Sequence, residues 1–233
     1  MHNDKRVIVA LDYADERSAL EMADKLDPSL CRVKVGKELF TAAGPHVVSE
    51  LNARNFDVFL DMKYHDIPNT VAGACRAASR LKVWMLNVHA GGGEAMLRAA
   101  RAAVDGESHR PLLIGVTILT SLSTADLLAI GFSGTALENV ERLALLAQTC
   151  GLDGVVCSAA ESAWLRKIVA PSFKLVTPGI RLPEDAAGDQ ARVVTPRDAI
   201  AMGSDYLVIG RSITGATDPI VKLKQIQQEI QQV

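Results

Sequence analysis

The stretch "DVFLDMKYHDIPNTVAGACRAASRL", residues 57–81, decides the fold because two different hydrophobic periods follow each other within it. Residues 57–63 form a short apolar run that ends in charged side chains, which is typical of a parallel strand buried on both faces. Residues 69–81 are rich in alanine with helical spacing, and Asn69 is predicted to cap the helix that they form. A strand followed closely by a helix is the repeating unit of a parallel α/β sheet.

The same strand–helix unit is predicted along the whole chain. The other predicted strands are residues 7–12, 31–37, 83–89, 112–119, 154–158, 174–181 and 206–211. The other predicted helices are residues 15–26, 45–54, 94–104, 136–150, 160–169, 196–202 and 218–230. Eight such units in 233 residues, with no change in composition, predict one α/β domain over residues 1–233, a single (β/α)8 barrel of the TIM type. A doubly wound open sheet is the competing fold.

The composition argues against several classes of protein. With 48% hydrophobic and 22% charged residues, the chain is similar to an average soluble protein that can bury a large core. A net charge of −2 argues against nucleic acid and anionic membranes as partners. No apolar run approaches the roughly 18 residues of a membrane span, and the N-terminal residues lack the apolar core of a signal peptide. The four cysteines have neither metal-binding nor redox spacing, so a cytoplasmic protein with reduced, packed cysteines is predicted.

Polar residues at the ends of the predicted strands are the candidate catalytic residues, because a (β/α)8 barrel carries its active site at the C-terminal ends of its strands. They are Asp12, Lys34, Asp61, Lys63, His89, Thr120, Arg181 and Arg211. Asp61 and Lys63 are two positions apart and therefore share one face of their strand. A single charge of this kind is more often solvated than catalytic. If both face inward together with Asp12 and Lys34, however, they form an alternating array whose desolvation is costly, which indicates a role in chemistry.

A second group of residues predicts an anion site, since barrels often bind phosphate at the loops after strands seven and eight. The eighth strand ends in "VIGRS", which offers the backbone N–H groups of Gly210 and Arg211 and the Arg211 guanidinium. The seventh ends in "TPGIR", which offers Arg181. In the polar loop 182–194 that follows, Gln190 is a candidate to fold over a ligand. The competing interpretations are a solvated connection for the loop and a surface salt bridge for Arg211.

Six motifs together give the chain a resemblance to a known family. They are "VALD", "VKVGKELF", "FLDMKYHDIPNTV", "VTILTS", "TPGIR" and "IGRSIT", and the match extends from Val7 to about Thr214. In this order they resemble the bacterial type of the orotidine 5′-phosphate decarboxylase family. The D-x-K-x-x-D core, residues 61–66, is shared with a wider group of barrel enzymes. "KYHDIPNTV", and "TPGIR" with a later glutamine, are much more specific to this family.

The resemblance implies that orotidine 5′-monophosphate loses CO2 from C6 and becomes uridine 5′-monophosphate, the last step of de novo pyrimidine synthesis. It also implies a homodimer with active sites at the subunit interface, and neither a metal nor an organic cofactor. Lys63 would protonate C6 as the carboxylate departs, and Asp61 would sit near that carboxylate and help to position Lys63. Lys34 and Asp12 would hold the ribose hydroxyls and the charge network.

The same resemblance distributes the remaining candidates around the substrate. Asp66 would act catalytically in the neighbouring subunit's site, with Ile67 and Thr70 close to the same ligand. Thr120 and Ser121 would lie beside the pyrimidine. The phosphate would be bound by Arg181, Gln190, Gly210 and Arg211. Segments 120–134 and 182–194 are the candidate lids that would exclude water.

Three other functions compete with this interpretation. A metal-dependent sugar-phosphate decarboxylase or aldolase on the same barrel would carry an acidic residue at the end of the second strand, where this chain has Lys34, and a cation there would repel Mg²⁺. A barrel that binds nucleotides without catalysis would be expected to lack Asp61 or Lys63. Hydrolysis through His65 or His89 is disfavoured, because His65 has no Ser or Cys partner at a recognised motif. His89, which precedes "AGGG", is interpreted as supporting the turn.

Overall fold

The computed structural model describes residues 5–182 and 194–232, and within them eight parallel strands close into a barrel in the order β1 to β8. The strands are β1 (Val7–Leu11), β2 (Arg32–Gly36), β3 (Val58–Tyr64), β4 (Met85–His89), β5 (Leu112–Val116), β6 (Gly154–Val156), β7 (Lys174–Thr177) and β8 (Tyr206–Ile209). The α-helices are α1 (Glu16–Ala23), α2 (Lys37–Ala43), α3 (His46–Ala53), α4 (Pro68–Arg80), α5 (Gly93–Asp105), α6 (Thr124–Ala129), α7 (Ala136–Thr149), α8 (Ala159–Ile168), α9 (Pro196–Ala201), α10 (Arg211–Thr214) and α11 (Pro219–Ile230). A short 3-10 helix covers Ala90–Gly92.

The barrel closes where β1 pairs with β8, in a register that places Val9 opposite Ile209. An open sheet would leave two edge strands unpaired, so this pairing confirms the single (β/α)8 barrel and excludes the doubly wound alternative. Side chains alternate along β1, with Val7 and Val9 packed against the helices and Ile8 and Ala10 inside the barrel. Because both faces of each strand are buried, the strands form continuous apolar runs in the sequence.

The N-terminal end of the barrel is closed by a cation–aromatic stack. The Arg32 guanidinium lies 4.0 Å from the centroid of the Trp84 ring and 5.2 Å from that of Tyr206. Arg32 also lies 3.3 Å from the Asp57 carboxylate and donates a hydrogen bond to the Lys5 carbonyl. These side chains fill the bottom of the barrel, and the C-terminal ends of the strands form its open end.

Four predicted strands extend too far along the sequence. Strands β5, β6, β7 and β8 end at residues 116, 156, 177 and 209, not at residues 119, 158, 181 and 211. After β7, Pro178 and then Gly179, whose φ is 78°, turn the chain out of the extended conformation. After β8, the ψ of −108° at Gly210 does the same. Arg181 therefore lies in a loop beyond β7, and Arg211 is the first residue of α10.

The predicted cap of α4 is wrong. The helix begins at Pro68 with Ile67 as its N-cap residue, and no side chain makes a capping hydrogen bond, so Asn69 lies within the first turn. Proline suits this position because the first N–H groups of a helix have no partner inside the helix. The sequence analysis also missed α2, α6 and α10. Of these, α6 falls within the candidate lid 120–134, and a capping box between Ser123 and Asp126 marks its start.

Burial agrees with the interpretation of the cysteines, since Cys31, Cys75, Cys150 and Cys157 are all buried and free. Within the described part of the chain, no helix is both long enough and apolar enough to cross a lipid bilayer. The cytoplasmic location expected from the sequence stays a prediction.

Candidate active site

Four charged side chains meet at the C-terminal ends of β1, β2 and β3. Lys63 Nζ donates a hydrogen bond to Asp61 Oδ1 at 2.6 Å. Lys34 Nζ lies 3.5 Å from Asp61 Oδ2 and donates to Asp12 Oδ1 at 2.9 Å. The charges therefore alternate along a chain that begins at Lys63 and ends at Asp12. The structure thus brings together the four residues that the sequence analysis grouped.

The side chains at the centre of this charge chain are less exposed to solvent than Asp12 at its end. The side chains of Lys34 and Asp61 are 10% and 14% exposed, whereas that of Asp12 is 65% exposed. Burial by itself would raise the pKa of Asp61, but the charges of Lys34 and Lys63 outweigh this effect. Hydrogen bonds from Lys63 and Asn87 act in the same direction, so the pKa of Asp61 is lowered and the group is ionised at neutral pH.

Lys63 is held by a local departure from regular strand geometry. Its φ of 53° lies in the left-handed region, and the pairing of β3 with β4 shifts register between Leu60 and Tyr64. The Lys63 N–H donates to the side-chain oxygen of Asn87 at 2.7 Å. The Asn87 amide nitrogen in turn donates to Asp61 Oδ1 at 2.6 Å. One side chain on β4 therefore bonds to both members of the Asp61–Lys63 pair.

Asn87 is the site residue that the sequence analysis missed. It lies in the middle of the apolar strand β4 and is 0% exposed. It carries no charge and does not lie at a strand end, so it was not among the candidates, which were polar residues at the ends of predicted strands. The available signal was a lone amide in a strand buried on both faces, because a buried amide is costly unless it is hydrogen-bonded.

A cavity of about 210 Å³ opens beside the Asp61–Lys63 pair. Its walls are largely apolar and include Phe59, Ile118 and Val208. Thr120 and Ser121, both exposed, also line it. An apolar slot with a few convergent polar groups is typical of a site for a small organic ligand.

A second cavity, of about 230 Å³, adjoins the first. The predicted anion-binding residues Arg181, Gly210 and Arg211 line it together with Asp12. Both cavities share Lys34, Pro178 and Val208 as lining residues, so they form one elongated site with the charge chain along its base. The two arginines at one end suit a phosphate, and the apolar slot at the other end suits a ring.

A further group of candidates lies away from both cavities. Asp66, Ile67 and Thr70 belong to the run of residues 65–70, which are all exposed. Ile67 has the highest exposure among the large apolar side chains of the described residues, at 66%. Within one subunit the structure does not bring these residues to the site. Gln190 lies outside the described residues.

Two histidines stand near the open end of the barrel. The rings of His65 and His89 have centroids 5.5 Å apart. Burial lowers the pKa of His89, and the neighbouring charges of His65, Lys37 and Lys63 lower it further. His89 is the N-cap residue of the 3-10 helix Ala90–Gly92, but its side chain makes no capping hydrogen bond, so its support of the turn stays a prediction.

The arrangement of possible metal ligands bears on whether the site could hold a metal ion. Among residues 5–182 and 194–232, no group of three or more His, Cys, Asp and Glu side chains is placed to hold a metal ion. Asp61 and Asp12 are the carboxylates that line the two cavities, and the Lys34 ammonium forms an ion pair with each of them.

Comparison with known proteins gives one consistent result. A family model described as "Orotidine 5'-phosphate decarboxylase / HUMPS family" matches residues 5–226. The protein named orotidine 5′-phosphate decarboxylase from Chromobacterium violaceum is 60% identical over 224 residues, which cover 96% of this chain and 91% of that protein. The protein of the same name from Nitrosomonas europaea is 58% identical over 231 residues, or 99% of both chains.

Solved structures agree with these sequence relationships. The crystal structure of orotidine 5′-phosphate decarboxylase from Lactobacillus acidophilus superposes with a TM-score of 0.87 at 39% identity, over 97% of this chain and 99% of that chain. The enzyme of the same name from Pyrococcus horikoshii superposes with a TM-score of 0.79 at 22% identity, which supports the fold alone.

Proposed function

Since the chain belongs to the orotidine 5′-phosphate decarboxylase / HUMPS family, we propose that it is an orotidine 5′-monophosphate decarboxylase that forms uridine 5′-monophosphate and CO2. Identities near 60% with proteins of that name, over almost the whole of both chains, support this activity. The observation that carries the mechanism is the Lys63 ammonium, which is held 2.6 Å from Asp61 beside an apolar cavity.

Lys63 stabilises the charge that forms when the substrate loses CO2. Cleavage of the bond between C6 and the carboxylate leaves an electron pair on C6, which has no good electron sink in the ring. An ammonium placed next to C6 stabilises this pair electrostatically and then transfers its proton to it. Asp61 orients Lys63 by accepting its hydrogen bond, and Lys34 compensates the charge of Asp61 on the other side.

The second cavity supplies binding energy far from the reacting carbon. Arg181, Gly210 and Arg211 bind the phosphate. Gln190, which lies outside the described residues, remains a candidate for a further phosphate contact. Lys34, which lines both cavities, and Asp12, which lines the second cavity, bind the ribose hydroxyls. Binding energy from a remote group can lower the barrier of the chemical step when it positions the reacting centre. Thr120 and Ser121 contact the pyrimidine at the edge of the first cavity.

The sugar-phosphate branch of the family is the competing assignment. Its metal-dependent reactions need a carboxylate at the end of the second strand, and that position here is Lys34. The Lys34 ammonium lies 2.9 Å from Asp12 and 3.5 Å from Asp61, so it would repel a divalent ion bound between these carboxylates. This geometry favours the decarboxylation of a nucleotide without a metal.

We also propose that two subunits complete each other's sites. Asp66, Ile67 and Thr70 are exposed and lie outside both cavities of their own subunit, next to the strand that carries Lys63. In a homodimer that joins these surfaces, the Asp66 carboxylate would extend the charge chain of the partner's site beyond Lys63. Ile67, which is 66% exposed in the single chain, would then be buried at the interface.

The proposed activity is tested by incubating the purified protein with orotidine 5′-monophosphate in the presence of excess chelator. We expect conversion to uridine 5′-monophosphate and CO2 at the same rate as without chelator. Failure to convert this nucleotide under either condition would contradict the proposed activity. A rate that chelator abolishes and an added divalent metal restores would leave the activity in place and overturn the metal-free mechanism.

A further inference from the structure

We propose that Asn87 is a positioning residue for the reaction, one that sets the geometry of Lys63 and Asp61 together through its side-chain amide. The proposal rests on the proposed function, because the ammonium that Asn87 positions is the group assigned to C6. Asn87 lines neither cavity and would touch no substrate atom in them, so it is not a catalytic residue. It acts through the two residues to which it bonds.

The bonds of Asn87 connect one side chain to both members of the reacting pair. Its oxygen accepts the Lys63 backbone N–H at 2.7 Å, and its nitrogen donates to Asp61 Oδ1 at 2.6 Å. The same Asp61 oxygen accepts the hydrogen bond from Lys63 Nζ, at 2.6 Å. Asn87 therefore bonds to the backbone of Lys63 and to the atom on which the ammonium of Lys63 rests.

The shift in the pairing of β3 with β4 explains why a side chain is needed here. Leu60 pairs with Leu86 and Tyr64 pairs with Val88, so the segment between Leu60 and Tyr64 is longer than the facing segment, which is Asn87 alone. A bulge of this kind leaves backbone groups without ladder partners. The amide of Asn87 replaces the missing ladder acceptor for Lys63. It also supports the φ of 53° at Lys63, a left-handed conformation that is strained in a residue with a side chain.

The chemistry of the two contacts specifies an amide. A backbone N–H can only donate and an ionised carboxylate can only accept, so the residue between them must accept at one atom and donate at another. Asparagine meets both requirements with a planar group of fixed span. An aspartate meets them only when it is protonated, which makes its replacement at this position a test that depends on pH.

The decisive variant is therefore Asn87→Asp. At neutral pH the new carboxylate would face ionised Asp61 at hydrogen-bonding distance, and both charges cannot be accommodated there. The pair would take up one proton with a raised apparent pKa. Below that value the protonated carboxyl donates to Asp61 while its other oxygen accepts the Lys63 N–H, so the wild-type pattern of bonds returns. We expect kcat to be lowered about 100-fold at neutral pH and to recover at least about tenfold as the pH falls.

Other titrating groups face the same pair and must be separated from this effect. They are Lys63 on β3, Lys34 on β2, His89 on β4 and Asp12 after β1. All of them are present in the wild type, so the measured quantity is the ratio of kcat in the variant to kcat in the wild type at each pH. A ratio that rises toward low pH supports the proposal, and a ratio that is independent of pH overturns it.

A matched control is available at the opposite end of the barrel. Asn52 on α3 donates a hydrogen bond to the Leu81 carbonyl at 2.9 Å, at the C-terminal end of α4. Asn52→Asp removes this bond and adds a carboxylate, but it should leave the ratio of kcat values constant with pH. The affinity for uridine 5′-monophosphate, measured by calorimetry, should change by less than about tenfold in Asn87→Asp, because the cavity with the two arginines is not altered.

Two further measurements keep the proposal testable if Asn87→Asp does not fold. Asn87→Ala removes both bonds without adding a charge, and it should lower kcat about 100-fold while nucleotide binding persists. In the wild-type protein, hydrogen exchange followed by NMR should show that the Lys63 amide is protected as well as amides inside the strands. An Asn87→Ala enzyme with unchanged kcat, or a Lys63 amide that exchanges as fast as those of residues 65–70, would overturn the proposal. Inactivity of the wild type would instead contradict the proposed function.

Discussion

At the scale of single residues, the proposed mechanism concentrates two tasks in Lys63. Its ammonium both stabilises the electron pair on C6 and supplies the proton, and each task contributes roughly 10² to 10⁴ in rate in other enzymes. We expect Lys63→Ala to lower kcat at least about 10⁴-fold and to retain binding of uridine 5′-monophosphate, since the phosphate contacts are in the other cavity. Steady-state kinetics and calorimetry measure the two effects separately.

The control for this variant is Lys37→Ala. Lys37 is exposed, follows β2 at the same end of the barrel and lines neither cavity. The Lys37→Ala variant should retain most of the wild-type kcat. If Lys63→Ala also retained kcat within about tenfold, Lys63 could not be the proton donor to C6.

Arg211 is expected to act on binding energy and not on the proton transfer. Arg211→Ala removes charge-assisted hydrogen bonds to the phosphate, each of which contributes about 1.5–3 kcal/mol. For the nucleotide, kcat/KM should therefore fall at least about tenfold. For orotidine, which has no phosphate, wild type and variant should react at the same low rate. Equal losses for both substrates would show that Arg211 does not act through the phosphate. Arg17→Ala, on the exposed surface of α1, is the matched control.

Residue types alone identified part of the site. Charges at the ends of apolar strands are rare enough to stand out, and so Asp12, Lys34 and the Asp61–Lys63 pair could be grouped before their distances were known. Asn87 could not, because a neutral amide inside an apolar run carries no such contrast. Its importance depends on the bulge in β3, which is a property of strand pairing and not of either strand alone.

At the scale of the elements, the contact between β6 and β7 depends on a glycine. Gly154 pairs with Lys174, and a Cβ added at Gly154 would overlap the Lys174 carbonyl oxygen and lie 2.8 Å from its Cβ. Neither backbone can yield without disturbing the barrel. We expect Gly154→Ala to lower the free energy of unfolding by about 1–3 kcal/mol, measured by urea denaturation.

The matched control is Gly91→Ala in the 3-10 helix, where an added Cβ would have no heavy atom within 4 Å. Its free energy of unfolding should stay within about 0.5 kcal/mol of the wild type. Equal stability of Gly154→Ala and the wild type would mean that β6 and β7 separate at no measurable cost, and the close packing at this position would be contradicted.

The presence of a strand or helix could be predicted where one hydrophobic period continued without interruption. The residues at which the elements end could be predicted less well. The alternation of strand and helix patterns indicated eight strands, because burial on both faces requires apolar residues throughout each strand. The ends of β5, β6, β7 and β8 were predicted too late in the sequence. After β5 and β7, apolar residues such as Ile118 and Ile180 continue the pattern after the backbone has turned. Helix α2 was missed because it follows β2 directly, with no polar connection to mark its start.

At the scale of the whole molecule, one subunit does not bring all of the predicted site residues to the two cavities. The exposed run 65–70 carries Asp66, and it lies outside both cavities of its own subunit. If each site is completed by the partner's Asp66, neither Lys63→Ala nor Asp66→Ala homodimers contain an intact site. A hybrid of one subunit of each kind contains one, because the Asp66→Ala subunit keeps Lys63 and receives Asp66 from the Lys63→Ala subunit.

Hybrid formation therefore makes a quantitative prediction for the dimer. Random reassociation of equal amounts of the two variants gives hybrids in about half of the dimers, and one of the two sites in each hybrid is intact, so activity should rise to about a quarter of the wild-type value. The two variants are mixed under mild denaturant and dialysed together, and the recovered rate is compared with those of the separate variants.

As a control, Asp66→Ala mixed with the double variant Lys63→Ala/Asp66→Ala should stay inactive, since no arrangement of these subunits supplies both residues to one site. A mixture of the two single variants no more active than their mean would show that Asp66 acts within its own subunit or not at all, and the proposed exchange of residues across the interface would have to be abandoned.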